Sequence, residues 1–201
     1  MRTGVILVGG KSSRMGFDKC LTILNGKPLI SFIVSRLRPV VDETIIVVSN
    51  KSQREAYIGF ADKIIIDAFP SDTPIVGAYT GFNEARGEYA LLSGGDQPLI
   101  DSRVVELLFK EAEGCDAATP VWPNGWVEPL QSVYRAKPAA EVALQLINTR
   151  RKRLRLLLDT LQKVKYIPID EIRKVDPDLL TLTDVDTQED LERVRHIIEG
   201  K

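Results

Sequence analysis

Apolar and polar positions alternate in blocks along this chain. Short apolar runs rich in β-branched residues are separated by longer stretches in which apolar positions recur with helical spacing. The runs are typical of buried strands, and the longer stretches are typical of amphipathic helices. In the first half this pattern predicts strands at residues 3–8, 44–48, 63–66 and 89–92, and helices at residues 29–37, 51–57, 76–85 and, capped by Asp101, 102–113.

The second half of the chain has a less regular pattern. It predicts strands at residues 117–120, 130–134 and 164–167, and helices at residues 139–147, 154–161 and 188–199. Between the first two of these strands, residues 122–126 predict a turn with Asn124-Gly125 at its tip. This alternation of strands and helices predicts an α/β fold, with a mostly parallel sheet flanked by helices on both faces.

Composition and charge exclude several classes of protein. Apolar residues make up 44% of the 201 residues and charged residues 27%, as in ordinary globular proteins. The formal net charge of −1 does not draw the chain to nucleic acid or to a membrane, so neither partner is expected. The apolar run at residues 5–8 is too short for a secretory signal or a membrane span. A cytoplasmic protein is therefore expected.

The cysteines and the single histidine do not form a recognisable reactive group. Cys20 and Cys115 lack metal-ligand spacing, and a disulfide between them is not expected without an export signal. His196 lies in the last predicted helix, where a solvated surface position is expected. Catalysis by a cysteine–histidine pair is therefore not predicted.

A glycine-rich segment with three cations follows the first predicted strand. It reads Leu7-Val8-Gly9-Gly10-Lys11-Ser12-Ser13-Arg14-Met15-Gly16-Phe17-Asp18-Lys19. Ligands of open α/β sheets bind beyond the carboxyl ends of the strands, and glycines there let the backbone approach a phosphate. Lys11, Arg14 and Lys19 supply the local positive charge that a triphosphate requires. The alternative is a strand-to-helix turn with incidental cations.

Two common phosphate-binding loops do not fit this segment. A P-loop needs G-x-x-x-x-G-K-(S/T) after a strand, but the position for its first glycine is Val5, and Gly4 is one residue out of register. The dinucleotide pattern G-x-G-x-x-G also fails, because Gly9 and Gly10 are adjacent. The segment therefore predicts an anion-binding loop of another kind.

The segment L-V-G-G-K-S-S-R-M-G-x-D-K resembles the signature of the molybdenum cofactor guanylyltransferases, the MobA-type family, with Val8 where alanine is usual. The resemblance implies a Rossmann-like nucleotidyltransferase fold. It also implies one domain over residues 1–201, with a nucleotide-binding half at about 1–100 and a pterin-substrate half at about 101–201. The residues that it assigns to nucleotide binding here are Leu7, Val8, Gly9, Gly10 and Lys19, and it makes Arg14 and Lys19 catalytic by neutralising the triphosphate.

Asp96 is the candidate metal ligand. It follows a predicted strand and two glycines, so it is expected at the ligand-binding edge of the sheet. Mg²⁺ is usually held by one or two carboxylates together with substrate oxygens. The segment S-G-G-D-Q-P-L-I resembles the metal-binding segment of the family, which implies that Asp96 holds Mg²⁺, contacts the nucleotide and is catalytic. An aspartate that caps the next helix is the alternative.

Two further residues are assigned to the nucleotide by resemblance. Asp67 ends the third predicted strand, seven residues before a segment from Pro74 that resembles the family's G-P-L-A-G helix start. The resemblance implies that Asp67 contacts the nucleotide. Asn50 matches a family asparagine near the ribose or base, although the residues alone favour an N-cap of the following helix.

The second half contains the candidates for the other substrate. Residues 126–134 resemble the segment where the second substrate of the family enters, which implies pterin contacts from Trp126 and Pro129. A hairpin packed on the sheet is the alternative for the tryptophans. The basic run that begins with Arg150 and Arg151 predicts either a solvated helix start or a site for the pterin phosphate.

The segment at residues 183–191 resembles the family's N-(V/I)-N-T-P-E-(D/E)-L, with Asp184 and Asp186 in place of the asparagines. The resemblance puts both aspartates on the pterin side, and their extra charge leaves a second metal or an altered substrate choice open. Thr187 is predicted to be a helix N-cap, with Asp190 as its capping-box partner.

The combined prediction is a monomeric enzyme that uses Mg²⁺ to transfer GMP from GTP to molybdopterin, with release of pyrophosphate. A protein that delivers molybdopterin and chaperones of molybdoenzymes are further expected partners. Three alternatives stay open: CMP transfer to the same pterin, activation of a sugar phosphate or phospho-acid, and a non-catalytic nucleotide-binding regulator.

Overall fold

A seven-stranded sheet in the order β5-β4-β1-β6-β8-β7-β9 forms the centre of the molecule. The computed structural model describes residues 1–8, 18–70 and 73–200. Only β8 runs antiparallel to its neighbours in this sheet, so the predicted mostly parallel α/β fold is confirmed. The strands of the sheet are β1 (Arg2–Val8), β4 (Glu43–Val48), β5 (Lys63–Ile66), β6 (Tyr89–Gly94), β7 (Ala117–Val121), β8 (Gln131–Arg135) and β9 (Val164–Pro168). A separate small hairpin pairs β2 (Ile23–Leu24) with β3 (Lys27–Pro28).

The helices alternate with the strands as the sequence predicts. They are α1 (Leu29–Leu37), α2 (Lys51–Ala56), α3 (Pro74–Glu84), α4 (Ser102–Ala112), α5 (Ala136–Asn148), α6 (Arg155–Thr160), α7 (Ile169–Arg173) and α8 (Gln188–Ile198). The α5 helix begins three residues before its predicted start, because Pro138 falls in the first turn, where a missing N–H does no harm. The pattern does not predict α7, which is only five residues long.

Two hydrophobic clusters cover the two faces of the sheet. Alternate residues of a strand point to opposite faces, so Ile6 and Val8 of β1 join one cluster and Val5 joins the other. The first cluster packs the sheet against α1, α4 and α7. The second packs it against α3, α5 and α6. The predicted arrangement of helices on both faces is therefore confirmed.

A third cluster fixes the end of the chain beside the start of α1. It contains Leu24, Leu29 and Leu99 from the first half, together with Val185, Leu191 and Val194 from the segment before α8 and from α8 itself. Val185 is 4% exposed, and its N–H donates to the Asp96 carbonyl oxygen at 2.8 Å. Residues 183–187 are thereby held at the carboxyl end of β6.

The parallel strands bring their carboxyl ends to one edge of the sheet. β1 and β6 are neighbours, and β8 begins at the same edge because it runs in the opposite direction, with Gln131 opposite Ser93. Side chains that follow β1 and β6, and those that precede β8, therefore meet there. In the part of the chain that the structure describes, no helix is long and apolar enough to cross a membrane.

Candidate functional site

Close packing of β6 against β1 fixes the position of Asp96. The Gly95 N–H donates to the Leu7 carbonyl oxygen at 2.9 Å. A Cβ added at Gly95 would lie 2.5 Å from Val8 Cγ1 and 2.9 Å from Cys20 Sγ. Only a residue without a side chain allows this approach, and Asp96 follows it directly. Leu7, through its carbonyl oxygen, and Val8, through its side chain, thus contact the residue that precedes Asp96.

Lys19 is held by a short turn that Asp18 caps. Asp18 Oδ1 accepts hydrogen bonds from the Cys20 N–H at 3.1 Å and from the Tyr57 hydroxyl at 2.9 Å. Tyr57 is fully buried. A 3₁₀ turn at Lys19–Leu21 therefore starts from a carboxylate that is itself fixed from the C-cap of α2. Gly9, Gly10 and Arg14, which the sequence assigns to the same segment, lie outside the described residues.

The Lys19 ammonium group bridges two carboxylates from distant parts of the chain. Lys19 Nζ lies 2.7 Å from Asp96 Oδ2 and 2.8 Å from Asp186 Oδ1. Burial works against the charged form of Lys19, but the hydrogen-bonded carboxylates of Asp186 and Asp96 outweigh it and hold the Lys19 pKa above its usual value. Lys19 is therefore a fixed positive charge at the carboxyl edge.

Asp184 lies in an acidic environment next to this bridge. Asp184 is an exposed residue, but neighbouring protein atoms partly desolvate its carboxyl group. This desolvation raises the Asp184 pKa to about 6, and the negative charges of Asp96, Asp186 and Glu128 add to the shift. A hydrogen bond with Gln97 opposes it. Gln97 is itself buried, and its Oε1 accepts from Gln131 Nε2 at 2.6 Å. Asp184 is thus hydrogen-bonded to Gln97, which is itself hydrogen-bonded to the buried Gln131.

The turn between β7 and β8 supplies the other wall of the site. The Trp122 indole N–H donates to Glu128 Oε1 at 2.6 Å, and burial raises the Glu128 pKa. Pro129 is held by its carbonyl oxygen, which accepts from the buried Tyr134 hydroxyl at 2.8 Å. Trp126 is 58% exposed. The turn with Gly125 at its tip is as predicted, and Trp126 is the more exposed of its two tryptophans.

Asn50 and Asp67 occupy the neighbouring strand ends. Asn50 Oδ1 accepts from the Gln53 N–H at 2.9 Å, so the N-cap favoured by the residues alone is confirmed. The Asp67 N–H donates to the Val48 carbonyl oxygen at 2.8 Å. A Cβ added at Gly77 would lie 3.6 Å from Asp67 Oδ1 and 3.0 Å from Leu7 Cδ2. Asp67 therefore lies beside Leu7, at the same edge as Asp96.

Arg150 and Arg151 follow the end of α5. This helix starts at the opposite edge, where the Ala136 N–H donates to the Glu88 carbonyl oxygen, and its 13 residues span about 20 Å. It therefore brings the basic run back to the carboxyl edge. Both arginines are exposed, and their backbone N–H groups donate to the carbonyl oxygens of Ile147 and Leu146.

Cys20 and His196 do not form a reactive pair. Cys20 is 5% exposed, and burial together with the nearby charge of Asp18 raises the pKa of its thiol. His196 is an exposed residue of α8, as predicted. The two cysteines are free rather than joined in a disulfide, as expected. Cys20 is therefore not an activated nucleophile, and the described part of the site consists of charged and hydrogen-bonding groups.

Comparison with known proteins identifies the family of this chain. The model of the MobA-like NTP transferase domain family matches residues 4–164. A probable molybdenum cofactor guanylyltransferase of Methanosarcina acetivorans is 34% identical, across 100% of this chain and 92% of that protein. A protein of the same description from Natronomonas pharaonis is 36% identical, across 96% of each chain.

This chain belongs to the MobA-like NTP transferase family. It is therefore a nucleotidyltransferase. The crystal structure of molybdopterin-guanine dinucleotide biosynthesis protein A from Archaeoglobus fulgidus superposes on it with a TM-score of 0.84, at 27% identity and with full coverage of both chains. The fold described above is thus that of a MobA-like transferase.

Asp96 is the residue that would hold a divalent cation in this MobA-like transferase if the sequence assignment is right. Among residues 1–8, 18–70 and 73–200, no group of three or more histidine, cysteine or acidic side chains is arranged to hold a metal ion by itself. A site with one carboxylate fits Mg²⁺ that arrives with a nucleotide, because phosphate oxygens and water supply its other ligands. The donor set is hard oxygen throughout, as Mg²⁺ prefers.

The site of this transferase also contains residues that the sequence pattern does not single out. Tyr57, Gln97 and Glu128 support Asp18 or surround Asp184. Gln97 and Glu128 lie inside segments that resemble the family, so their position next to Asp96 and Pro129 was the available signal. Tyr57 ends a predicted helix, and nothing in the sequence connects it with Asp18.

Proposed function

We propose that this chain transfers GMP from GTP to molybdopterin in a Mg²⁺-dependent reaction and releases pyrophosphate. The observation that supports this most directly is the Lys19–Asp96 pair, in which a cation and a candidate metal ligand lie 2.7 Å apart at the end of the signature segment. The relatives that are 34% and 36% identical over nearly the whole chain have names that describe guanylyl transfer to the molybdenum cofactor.

The residues at the carboxyl edge suit a transfer without a covalent enzyme intermediate. A phosphate oxygen of molybdopterin attacks the α-phosphorus of GTP, and the bond from that phosphorus to the bridging oxygen of pyrophosphate breaks. Lys19 and Arg14 neutralise the triphosphate, Gly9 and Gly10 allow it to approach the backbone, and Asp96 holds the metal. Bound Mg²⁺ offsets the charge that develops on the phosphate oxygens. Positioning and charge stabilisation are sufficient for this chemistry.

The nucleotide base and ribose are proposed to lie on the β4–β5 side of the site. Leu7, Val8, Asn50 and Asp67 follow or end the neighbouring strands there. Asn50 Oδ1 is used by its N-cap bond, which leaves the amide N–H₂ group of the same side chain as a donor. Asp67 adds a carboxylate that accepts hydrogen bonds, as hydroxyl and amino groups of a nucleoside require.

The pterin is proposed to lie on the opposite side, between the β7–β8 turn and residues 184–186. Its aminopyrimidinone ring presents N–H donors, and the carboxylates of Glu128 and Asp184 are acceptors close to each other. Trp126, which is 58% exposed, offers a flat ring for stacking, and Pro129 lies next to Glu128. Arg150 and Arg151 supply positive charge for the pterin phosphate.

The choice of base is tested by isothermal titration with GTP, CTP, ATP and UTP in the presence of Mg²⁺. Tighter binding of GTP than of the other three is expected. Tighter binding of CTP would contradict the guanylyl assignment and favour CMP transfer, the second candidate of the sequence analysis.

The choice between an enzyme and a nucleotide-binding regulator is tested by turnover. Incubation with molybdopterin, GTP and Mg²⁺ is expected to release pyrophosphate in proportion to the enzyme concentration, and release is expected to stop when molybdopterin is omitted. Binding of GTP without any pyrophosphate release in the complete mixture would contradict the proposal.

A further inference from the structure

Lys19 is shared by two carboxylates that belong to different structural units. Asp96 follows β6 in the sheet, whereas Asp186 lies 167 residues from Lys19, just before α8. The distances from Lys19 Nζ are nearly equal, at 2.7 Å to Asp96 Oδ2 and 2.8 Å to Asp186 Oδ1. One ammonium group thus neutralises part of two negative charges.

Asp186 is held in place without help from the side chain of Asp96. Its backbone N–H donates to Asp190 Oδ2 at 3.2 Å, and the same oxygen accepts from the Thr187 N–H at 2.9 Å. Val185, the preceding residue, is buried in the third cluster. The backbone of Asp186 is therefore fixed at the start of a capped helix, by contacts that do not involve the Asp96 side chain.

We propose that Asp186 is a positioning residue that retains the Lys19 ammonium group when Asp96 becomes a metal ligand. This inference rests on the proposed function, in which Asp96 holds the metal ion of a metal–nucleotide complex. Lys19 and the metal ion then compete for the same Asp96 carboxylate. With Asp186 present, Lys19 keeps a carboxylate partner after it leaves Asp96. Without Asp186, binding of the metal to Asp96 breaks the remaining ion pair of Lys19 among the described residues.

The surroundings of Lys19 agree with an exchange of its carboxylate partner from Asp96 to Asp186. A cavity of about 20 Å³, with room for about one water molecule, is lined by Lys19, Thr22, Asp186 and Thr187 among other residues. The Lys19 side chain is 20% exposed, whereas that of Asp186 is 69% exposed. Lys19 therefore has open space on the side of Asp186, and solvent screens the pair enough for the contact to be exchanged at small cost.

The test measures metal binding directly. The electron paramagnetic resonance signal of free Mn²⁺ gives the Mn²⁺ dissociation constant of the protein saturated with the α,β-methylene analogue of GTP, which cannot transfer GMP. Asp186→Asn is expected to raise this constant by roughly three-fold, the range of a partly exposed ion pair. Asp186→Glu is expected to restore most of the affinity. Glu189→Gln, which removes one exposed charge from the same helix start, is the control and is expected to change nothing.

Loss of a nearby negative charge weakens cation binding by itself, so the Asp186→Asn change is repeated in a Lys19→Met background. If Asp186 acts through Lys19, its substitution has a clearly smaller effect on Mn²⁺ binding when Lys19 is absent. Equal effects in both backgrounds would overturn the inference. An unchanged Mn²⁺ constant in Asp186→Asn would overturn it as well.

One further variant separates this inference from the proposed function. Asp96→Asn is expected to weaken Mn²⁺ binding much more strongly than Asp186→Asn does. If Asp96→Asn leaves Mn²⁺ binding unchanged, the metal-ligand assignment is wrong and the inference fails with it. If Asp96→Asn weakens binding and Asp186→Asn does not, only the role of Asp186 is refuted.

Discussion

The Tyr57 hydroxyl donates a hydrogen bond to Asp18 Oδ1 across 2.9 Å, and so connects the C-cap of α2 to the residue before Lys19. The same carboxylate oxygen caps the turn that carries Lys19. The geometry of the Lys19–Asp96 pair therefore depends, through Asp18, on the fully buried Tyr57 side chain. Asp18 thus connects the turn that carries Lys19, which is catalytic in the proposal, with the buried Tyr57 that supports the fold.

Tyr57→Phe is expected to weaken both the fold and the site. It removes one hydrogen bond to a carboxylate, which costs about 1.5–3 kcal/mol in the free energy of unfolding. Loosening of Asp18 is also expected to raise the KM for GTP. Urea unfolding and initial rates measure the two effects, with Tyr166→Phe, a 46% exposed tyrosine, as the control. Unchanged values in Tyr57→Phe would show that Asp18 is held by its other contacts.

Asp96→Asn is expected to lower kcat by about 100-fold or more while the fold is retained. Loss of a single electrostatic contact that acts in the transition state has effects of this size. Pyrophosphate release and circular dichroism provide the two measurements. Asp178→Asn, at an exposed aspartate away from Lys19, is the control with the same chemical change. Activity close to that of the unmodified chain in Asp96→Asn would refute its role as metal ligand.

Asp184→Asn is expected to alter the pH dependence of stability. Burial and neighbouring negative charges raise the Asp184 pKa to about 6, above its ordinary value, so ionisation is less favourable in the folded chain. The free energy of unfolding of the unmodified chain therefore falls as pH rises from about 4, the ordinary carboxyl pKa, to about 6, and Asp184→Asn does not have this loss. The Tm of the variant minus that of the unmodified chain is expected to increase between about pH 4 and about pH 6 without metal, and to stay constant above about pH 7.

The same pair of Tm measurements on Asp178→Asn gives the control for this pH effect. Its difference from the unmodified chain is expected to stay constant over the same pH range. A constant difference for Asp184→Asn as well would show that Asp184 titrates like an ordinary surface aspartate.

Replacement of Arg150 and Arg151 by alanine is expected to raise the KM for molybdopterin by about ten-fold, the scale of one charge-assisted hydrogen bond, and to affect the KM for GTP much less. Steady-state rates with each substrate varied in turn measure the two constants. The double replacement of Arg135 and Lys137 at the opposite edge is the control. Equal effects of the first replacement on both substrates, or no effect, would remove these arginines from the pterin site.

Gly95→Ala is expected to destabilise the fold by about 1–3 kcal/mol, because its Cβ would lie 2.5 Å from Val8 Cγ1 and 2.9 Å from Cys20 Sγ. The backbone shift that relieves these contacts moves Asp96, so kcat is expected to fall as well. Urea unfolding and pyrophosphate release provide the measurements. A stable variant with full activity would show that β1 and β6 can separate without effect on the site.

Most of the fold could be predicted because strand and helix patterns are local. The observed bounds of β1, β4, β5 and α1 differ from those predicted from their apolar patterns by at most one residue. The missed elements are short: α7 has five residues and the β2–β3 hairpin two residues in each strand. Elements of this length complete less than two helical turns or one strand alternation, so they leave no periodic signal.

The charged residues around Lys19 were predicted from the sequence, but the contacts between them were not. Lys19, Asp96 and Asp186 were each identified from a separate segment, and the structure brings all three together. The ion pairs among them depend on the packing of Val185 and α8 against Leu29 and Leu99, which no local pattern contains. For the same reason the sequence offered no means of finding the contact between Tyr57 and Asp18.

Asp186 lies outside every strand of the described sheet, whose last strand in sequence, β9, ends at Pro168. Its place beside Lys19 depends on the packing of Val185 and α8 against Leu29 and Leu99. The sheet and this carboxylate are therefore built from different parts of the sequence. Evolution can thus change the charge beside Lys19 without altering a strand of the sheet.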